Sequence, residues 1–421
     1  MIKNYPQVRL GDVADIVSGY AYKSSDFISM GIPVIKIKNV VPPYVTLDDV
    51  QYVSPELAYS KEKYVLKYND ILISLTGSNV TQFASAVGKV GRIRYNEPSV
   101  LNQRVGKIEL KDRKLYDYNF LYYLISTYDF QYKLASEAKG SANQANINPD
   151  QIKDFLLPNP PLPIQRTIAA TLSSLDDKIE LNNRINANLE AQAQSIFKRW
   201  FVDFEPFRRG AFVDSELGKI PKGWQVKPLY DYSQYINGTS FKDEEYSSEK
   251  KGYPIIKIVE LKNGITDSTQ YCDCDKEEKY FISNGDILFS WSGNPETSID
   301  TFIWHDGIGI LNQHTFKVIP NIDIEYGFIY FLLRYKKTLF TRIASNKQTT
   351  GLGHVTIADL KRERFVYSEK AIKKYCDIIN PIFDEIFNNL MENRTLVKIH
   401  DALLPELMSG EIEIFAGIQK C

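Results

Sequence analysis

Short runs in which Val, Ile and Tyr dominate recur along residues 1–163 and again along residues 207–370, punctuated by Gly, Asn and Pro. PVIKI, DILIS and VGKIEL in the first segment, and PIIKI, DILFS and TFKVI in the second, predict strands joined by turns. Each segment ends on a stretch with helical apolar spacing, YNFLYYLISTYDFQYKLA and YGFIYFLLRYKKTLFTRI. Two α+β domains of mixed α/β structure follow from this pattern.

Behind each segment the period changes. In 164–206, Ile168, Leu172, Leu175, Ile179, Leu189, Ala193, Ile196 and Trp200 alternate by four and three if Asn182 and Asn186 fill the missing places. In 371–421 the same alternation runs through Tyr375, Ile379, Ile382, Ile386, Asn389, Asn393, Leu396, His400, Leu403 and Leu407. Both read as heptad seams. Packed antiparallel, the helices would set Asn182 and Asn186 beside Asn393 and Asn389, amides that satisfy only each other and fix register. Ser173 and Ser174 before Asp176 and Asp177, and Asn380 before Pro381, predict helix starts near 174 and 381, with ends near 201 and 408. The rod so formed would be about 40 Å long.

The domains are copies. GIPVIKI at 31–37 matches GYPIIKI at 252–258, NDILISLTGS matches GDILFSWSGN, LNQR matches LNQH and FLYYL matches FIYFL, all in the same order. The repeated PVIKI and PIIKI predict one framework strand built twice, with Lys36 and Lys257 facing either DNA or solvent. The whole therefore has a pseudo-twofold internal repeat.

Composition narrows the class. The 421 residues are 43% apolar and 24% charged, with a net charge of -1, so any nucleic-acid site must come from local segregation of charge. Four scattered cysteines predict no disulfide framework, and no apolar run reaches membrane-spanning length; a cytoplasmic location is expected. Catalytic signatures are missing. NPPL at 159–162 is similar to the Asn-Pro-Pro-aromatic loop of amino-methyltransferases, but Leu162 stands where the stacking ring belongs. No Walker loop occurs. Cys272, Cys274 and His305 fall short of a zinc set, so no metal site and no catalytic residue is expected.

The order domain, long helix, domain, long helix, with NPPLPIQRTIAATLSSLDDKIELNN at the first junction and FVDSELGKIPKGW leading into the second domain, resembles the specificity subunit of type I restriction-modification systems. Ile164 stands where that family usually has an acidic residue, and YSEKAIKKY at the second junction lacks the proline-rich motif. The resemblance implies two target-recognition domains separated by two long helices packed as an antiparallel coiled coil. Its seam residues would be Leu175, Ile179, Asn182, Asn186, Leu189, Ile196 and Trp200 against Ile382, Ile386, Asn389, Asn393, Leu396, Leu403 and Leu407. The implied partners are double-stranded DNA, two methyltransferase subunits and, in the larger complex, restriction/translocase subunits. S-adenosylmethionine, ATP and Mg would belong to those partners and no cofactor to this chain. The alternatives are a methyltransferase or nuclease fused to its own recognition domains, and a structural dimer built on the helices.

Base reading needs donors and acceptors at loop tips. In the first domain these are Tyr20, Tyr22 and Lys23; Ser78, Asn79 and Gln82; and Asn143, Gln144 and Asn146. In the second they are Thr239 and Lys242; Ser292 and Asn294; and Lys347, Gln348, Thr349 and His354. Lys89, Arg92, Arg94, Arg104 and Lys107 form one basic cluster, and Arg334, Lys336, Lys337, Arg342 and Lys347 another with no acid between them in sequence. Both could neutralise phosphates. Loops that match in position but differ in content imply two unlike half-sites.

Overall fold

The computed structural model describes residues 5–141, 144–322, 324–348 and 351–412. It divides into two units, one made of residues through Asp176 together with those from Lys398, the other of Asp177–Val397. The boundaries cut through both long helices instead of setting them apart as regions of their own, because each helix buries its two ends in different cores.

In the first unit a six-stranded sheet runs in the order Ala14–Ser18, Val105–Leu110, Ile71–Ser74, Val90–Arg92, Tyr44–Val45, Val40–Val41. A five-stranded sheet runs Phe27–Ile28, Gln51–Val53, Ile32–Ile35, Ser99–Leu101, Val65–Leu66. The second unit repeats the plan with a four-stranded sheet, Ser233–Asn237, Thr315–Pro320, Ile287–Ser290, Asp300–Ile303, and a five-stranded one, Tyr246–Ser247, Tyr271–Cys272, Tyr253–Ile256, Gly309–Leu311, Phe281–Ile282.

The duplicated sequence runs are the parallel strands inside the five-stranded sheets. Val34 and Ile35 pair with Val100 and Leu101, and Ile255 and Ile256 pair with Ile310 and Leu311. All eight side chains are buried, which is why these runs are continuously apolar instead of alternating. The strands stop two residues earlier than PVIKI and PIIKI suggest, at Ile35 and Ile256. Lys36 and Lys257 cap the following helical turns, through backbone N–H bonds to Asn39 Oδ1 and Glu260 Oε2, both at 3.0 Å. Their ammonium groups hydrogen-bond Gln51 and Gln270 and lie over the rings of Phe27 and Tyr246. A contact repeated so closely in both units is part of the framework.

The central helix spans Leu162–Phe201 and the distal helix Glu369–Ser409, each about 60 Å long. Both start about twelve residues before the predicted caps. Pro160 and Pro161 lead into the first, and Gln165, wholly buried, ties that junction by accepting from Asp117 N at 2.8 Å and donating to Pro160 O at 2.8 Å. Ser368 starts the second, its carbonyl accepting from Ile372 N at 2.8 Å and its hydroxyl from Ala371 N at 3.4 Å. The expected cap residues are interior. Ser173 and Asp176 both bond the hydroxyl of Tyr123, at 3.2 and 2.6 Å. Pro381 lies inside the distal helix, where a lost backbone bond is outweighed by burial of Ile372, Tyr375, Cys376 and Ile379 just before it.

The first unit's core takes in Ile168, Ala169 and Leu172 of the central helix and Leu407 of the distal helix, with Leu403 packed against it. The second unit's core takes in Ala193, Phe197 and Phe201, with Tyr375, Ile379 and Ile386, while Leu189, Ile196, Trp200 and Ile382 pack on its edge. Phe197 and Phe201, outside the heptad reading, are more deeply buried than Ile196 and Trp200, because the helix end enters a domain core made of Phe328, Phe365 and Tyr375. Between these regions the helices meet antiparallel. Leu175, Ile179 and Leu396 are half-buried there, and Asn182, Asn186, Asn389 and Asn393 are buried. Asn182 Nδ2 donates to Asn393 Oδ1 and Asn389 Nδ2 to Asn186 Oδ1, each at 2.9 Å. The amides are not confined to each other. Asn182 also reaches Glu392, Asn186 the Ile386 carbonyl, and Asn393 donates to Asn183.

Candidate nucleic-acid interface

Four segments remote in sequence converge in each domain, held by the same backbone bonds. In the first, Tyr20 N donates to Leu101 O (2.9 Å), Gln103 N to Tyr20 O (3.0 Å), Leu75 N to Arg104 O (3.0 Å) and Ile147 N to Leu75 O (3.0 Å). In the second, Thr239 N donates to Leu311 O (2.9 Å), Gln313 N to Thr239 O (2.9 Å), Trp291 N to His314 O (3.3 Å) and Val355 N to Trp291 O (2.8 Å). Gly19 and Gly238 precede the crossing. A Cβ on either would come within 2.3 Å or 2.2 Å of the carbonyl of Asn102 or Asn312, so only glycine fits. Thr76 then pairs with Asn146, and Ser292 with His354.

The frame brings together Tyr20, Ser78, Asn79, Arg104, Gln144 and Asn146 of the predicted residues in the first domain, and Thr239, Ser292, Asn294 and His354 in the second. Arg104, Gln144, Asn146 and Asn294 are exposed. Asn79 and Asn294 each cap a short helix, accepting from Thr81 N at 2.9 Å and from Glu296 N at 3.0 Å. Gln82, Lys23, Lys242 and Gln348 are exposed on neighbouring turns. Asn143 and Thr349 lie outside the described residues. Thr76, Gln103, Gln313, His314 and Trp291 lie in the frame but outside the loop-tip set, although the LNQR and LNQH repeat marks its middle.

Other predicted contacts are turned inward. Tyr22 is buried against Phe27 and Val34, and burial pushes its hydroxyl up to about 12. Ser78 is buried too, donating to Gln82 O at 2.7 Å. Arg92 is only 2% exposed, its guanidinium 3.7 Å from the Tyr122 ring centroid, and burial lowers its pKa. These three belong to the packed interior, since their side chains fall on the inner face of the strand or turn that carries them. Lys89 is half-buried and its pKa is lowered by burial. Arg94 bonds the Tyr68 hydroxyl at 3.0 Å, and Lys107 pairs with Glu109 at 2.6 Å.

Three members of the second basic cluster, Arg334, Lys337 and Lys347, are paired with acids. Arg334 bonds Asp300 at 2.6 Å and Glu190 of the central helix at 2.8 Å, and Lys337 joins Asp300. Burial disfavours the charge on Arg334, but Tyr330, Glu190 and Asp300 outweigh it and hold the guanidinium more firmly protonated. Lys336 lies over Phe365, its pKa lowered by burial, and Lys347 pairs with buried Asp359. Arg342 remains exposed. The charges of Arg334, Lys337 and Lys347 are thus already matched by carboxylates.

The catalytic look-alikes have structural employment. Asn159 accepts from Gln165 at 3.2 Å, and its backbone N–H bonds Pro6 O at 2.8 Å. Cys272 and Cys274, with Cα atoms 5.4 Å apart in one turn, are paired with each other, a single local link and not a disulfide framework. His305 instead bonds the Ile303 carbonyl at 3.0 Å. No cluster of three or more His, Cys, Asp or Glu able to hold a metal occurs among the described residues, and no helix among them is long and apolar enough to cross a membrane.

Comparison with known proteins agrees with this architecture. The type I restriction modification DNA specificity domain matches residues 2–191 and 221–374. A type I restriction enzyme MjaIX specificity subunit from Methanocaldococcus jannaschii is 31% identical over 324 residues, covering 75% of this chain and 74% of that protein. The HindI specificity subunit from Haemophilus influenzae is 26% identical over 353 residues, covering 69% and 76%. The solved S subunit of a type I restriction-modification system from M. genitalium shares the fold, with a TM-score of 0.53, 16% identity and 96% of each chain covered.

Proposed function

Because the chain belongs to the type I restriction-modification DNA specificity family, we propose that it reads an asymmetric bipartite DNA site, one half with each domain, for a complex whose other subunits do the chemistry. It is a non-catalytic specificity subunit, and subunits of this kind work with DNA and with other subunits. The finer assignments are these. Two methyltransferase subunits dock on the long helices, which set the spacer, and a restriction/translocase subunit joins the larger complex. S-adenosylmethionine, ATP and Mg enter with those subunits, in the cytoplasm where the DNA lies.

The observation that carries the bipartite reading is the duplicated frame. Identical backbone bonds hold Thr76, Arg104 and Asn146 in one domain and Ser292, His314 and His354 in the other. A frame kept while its exposed side chains change is what two readers of unlike sequences require. Sequencing of methylated genomic DNA with and without this chain tests it. One motif of two unlike halves around an unread spacer should vanish when the chain is absent. Methyl transfer by the purified chain alone would establish the fused-enzyme alternative instead.

A further inference from the structure

In the first domain Arg104 Nη1 donates to Thr76 Oγ1 at 3.3 Å, and Thr76 Oγ1 donates to Asn146 Oδ1 at 2.8 Å. A guanidinium has donors only, so the hydroxyl accepts from it and passes its own proton to the amide oxygen. What Arg104 and Asn146 have left to offer is mostly donors, the rest of the guanidinium and an amide NH2, beside the second lone pair of Asn146 Oδ1. Both residues are exposed, and Arg104 makes no ion pair among the described residues.

A surface so rich in donors favours a base edge that only accepts. In the major groove guanine shows N7 and O6, both acceptors; adenine and cytosine show an amino donor, and thymine sets a methyl beside its one acceptor. The second domain has a different character at the same place. Ser292 pairs in register with His354, and His314 lies beside Trp291 with ring centroids 5.8 Å apart. An imidazole can both donate and accept, so the donor bias of the first domain is absent there. Gln103 and Gln313, exposed and identical in the two frames, cannot distinguish the halves.

Resting on the reading of this chain as a DNA-recognition subunit, we propose that Arg104 and Asn146, positioned by Thr76, read a guanine in one half of the target, while His314 and His354 set the base preference at the corresponding place in the other half.

The test uses the chain assembled with its modification subunits and a set of duplexes carrying each of the four base pairs at every position of both half-sequences. The wild-type complex should prefer guanine at one position of one half by roughly 5- to 150-fold, the range of a bidentate base contact. R104A and R104K should both abolish that preference and leave the other half and the spacer untouched. R104K keeps the charge but not the fork, so its salt dependence should stay near wild type. T76V, which breaks the link but keeps both readers, should weaken the preference without removing it. H314A with H354A should alter the second half alone.

Retention of the guanine preference in R104A and R104K overturns the proposal. So does a loss of affinity that is uniform across all sequences with a shallower salt dependence, because Arg104 would then meet a phosphate. A wild-type complex that binds DNA with no sequence preference would sink the recognition role itself, a result distinct from either.

Discussion

Asn182 donates to Asn393 across the helix pair at 2.9 Å, and one turn further on Asn389 returns the same bond to Asn186. Lys178 and Glu392 close one side of this layer with an ion pair at 3.0 Å. Antiparallel helices can slide by a turn and still bury leucines against leucines. They cannot slide without stranding four buried amides.

Replacing Asn393 alone with Leu should therefore cost about 1–3 kcal/mol, because buried Asn182 loses the amide oxygen it donates to. Replacing Asn182, Asn186, Asn389 and Asn393 together should raise stability while loosening register or oligomeric state, since no amide is left unpaired. Thermal unfolding ranks the variants, and cysteine cross-linking between the helices reads the register. A quadruple variant that melts lower with its register intact would contradict this.

Arg334 is expected to behave as a structural residue. Its change to Met should destabilise Asp177–Val397 by about 2 kcal/mol, below the usual cost of a broken buried pair because the site is partly exposed. The slope of DNA affinity against salt should not move. A slope reduced by about one ion would return Arg334 to the phosphate-contacting set.

The difference between Arg334 and Arg104 shows where the sequence is legible. The doubled α+β plan, the antiparallel asparagine layer and the loops of the frame are written in local period and in repeats, because burial on one face imposes them residue by residue. The basic clusters are not. Nothing near Arg334 in sequence discloses that Glu190 and Asp300 will surround it, and nothing near Arg92 discloses the Tyr122 ring. Helix starts failed for a related reason. Ser173 and Pro381 look like caps locally, but the cores that bury Ile168 and Tyr375 carry helix through them. Thr76 and His314 are not marked locally, because Thr76 takes its place from pairing with Asn146 and His314 from its carbonyl's bond with Trp291 N, partners remote in sequence.

Asp359 gives a pH test. Burial acts to raise its pKa, but Lys347 and bonds from Thr356 outweigh that and leave it lowered to about 2. A carboxylate depressed on folding contributes stability that is present above its unfolded pKa of about 3.9 and lost as pH falls through the folded value. The contribution, on the order of 2 kcal/mol, should disappear between about pH 4 and pH 2. D359N should be less stable at pH 7 and should show a shallower loss over that acid window. Parallel melting curves for the two chains from pH 5 to pH 2 would show that Asp359 carries no such linkage.

The asparagine register also says how the spacer can be changed. Asn186 faces Asn389, so insertions after Asn186 and after Asn388 add equal lengths to both helices and keep both amide pairs. Four helix-forming residues at each place add about 6 Å, equivalent to at most about two base pairs at 3.4 Å per step. If the helices set the spacer, the doubly inserted chain should direct methylation to the same two half-sequences with a longer unread gap. The insertion in the central helix alone leaves its partner a turn short, so it should lower the melting temperature and the extent of methylation. Both outcomes are read from the methylation map of cells carrying each variant. Altered half-sequences with the original gap would mean that the helices are not the ruler, and that the gap is fixed by the domains themselves.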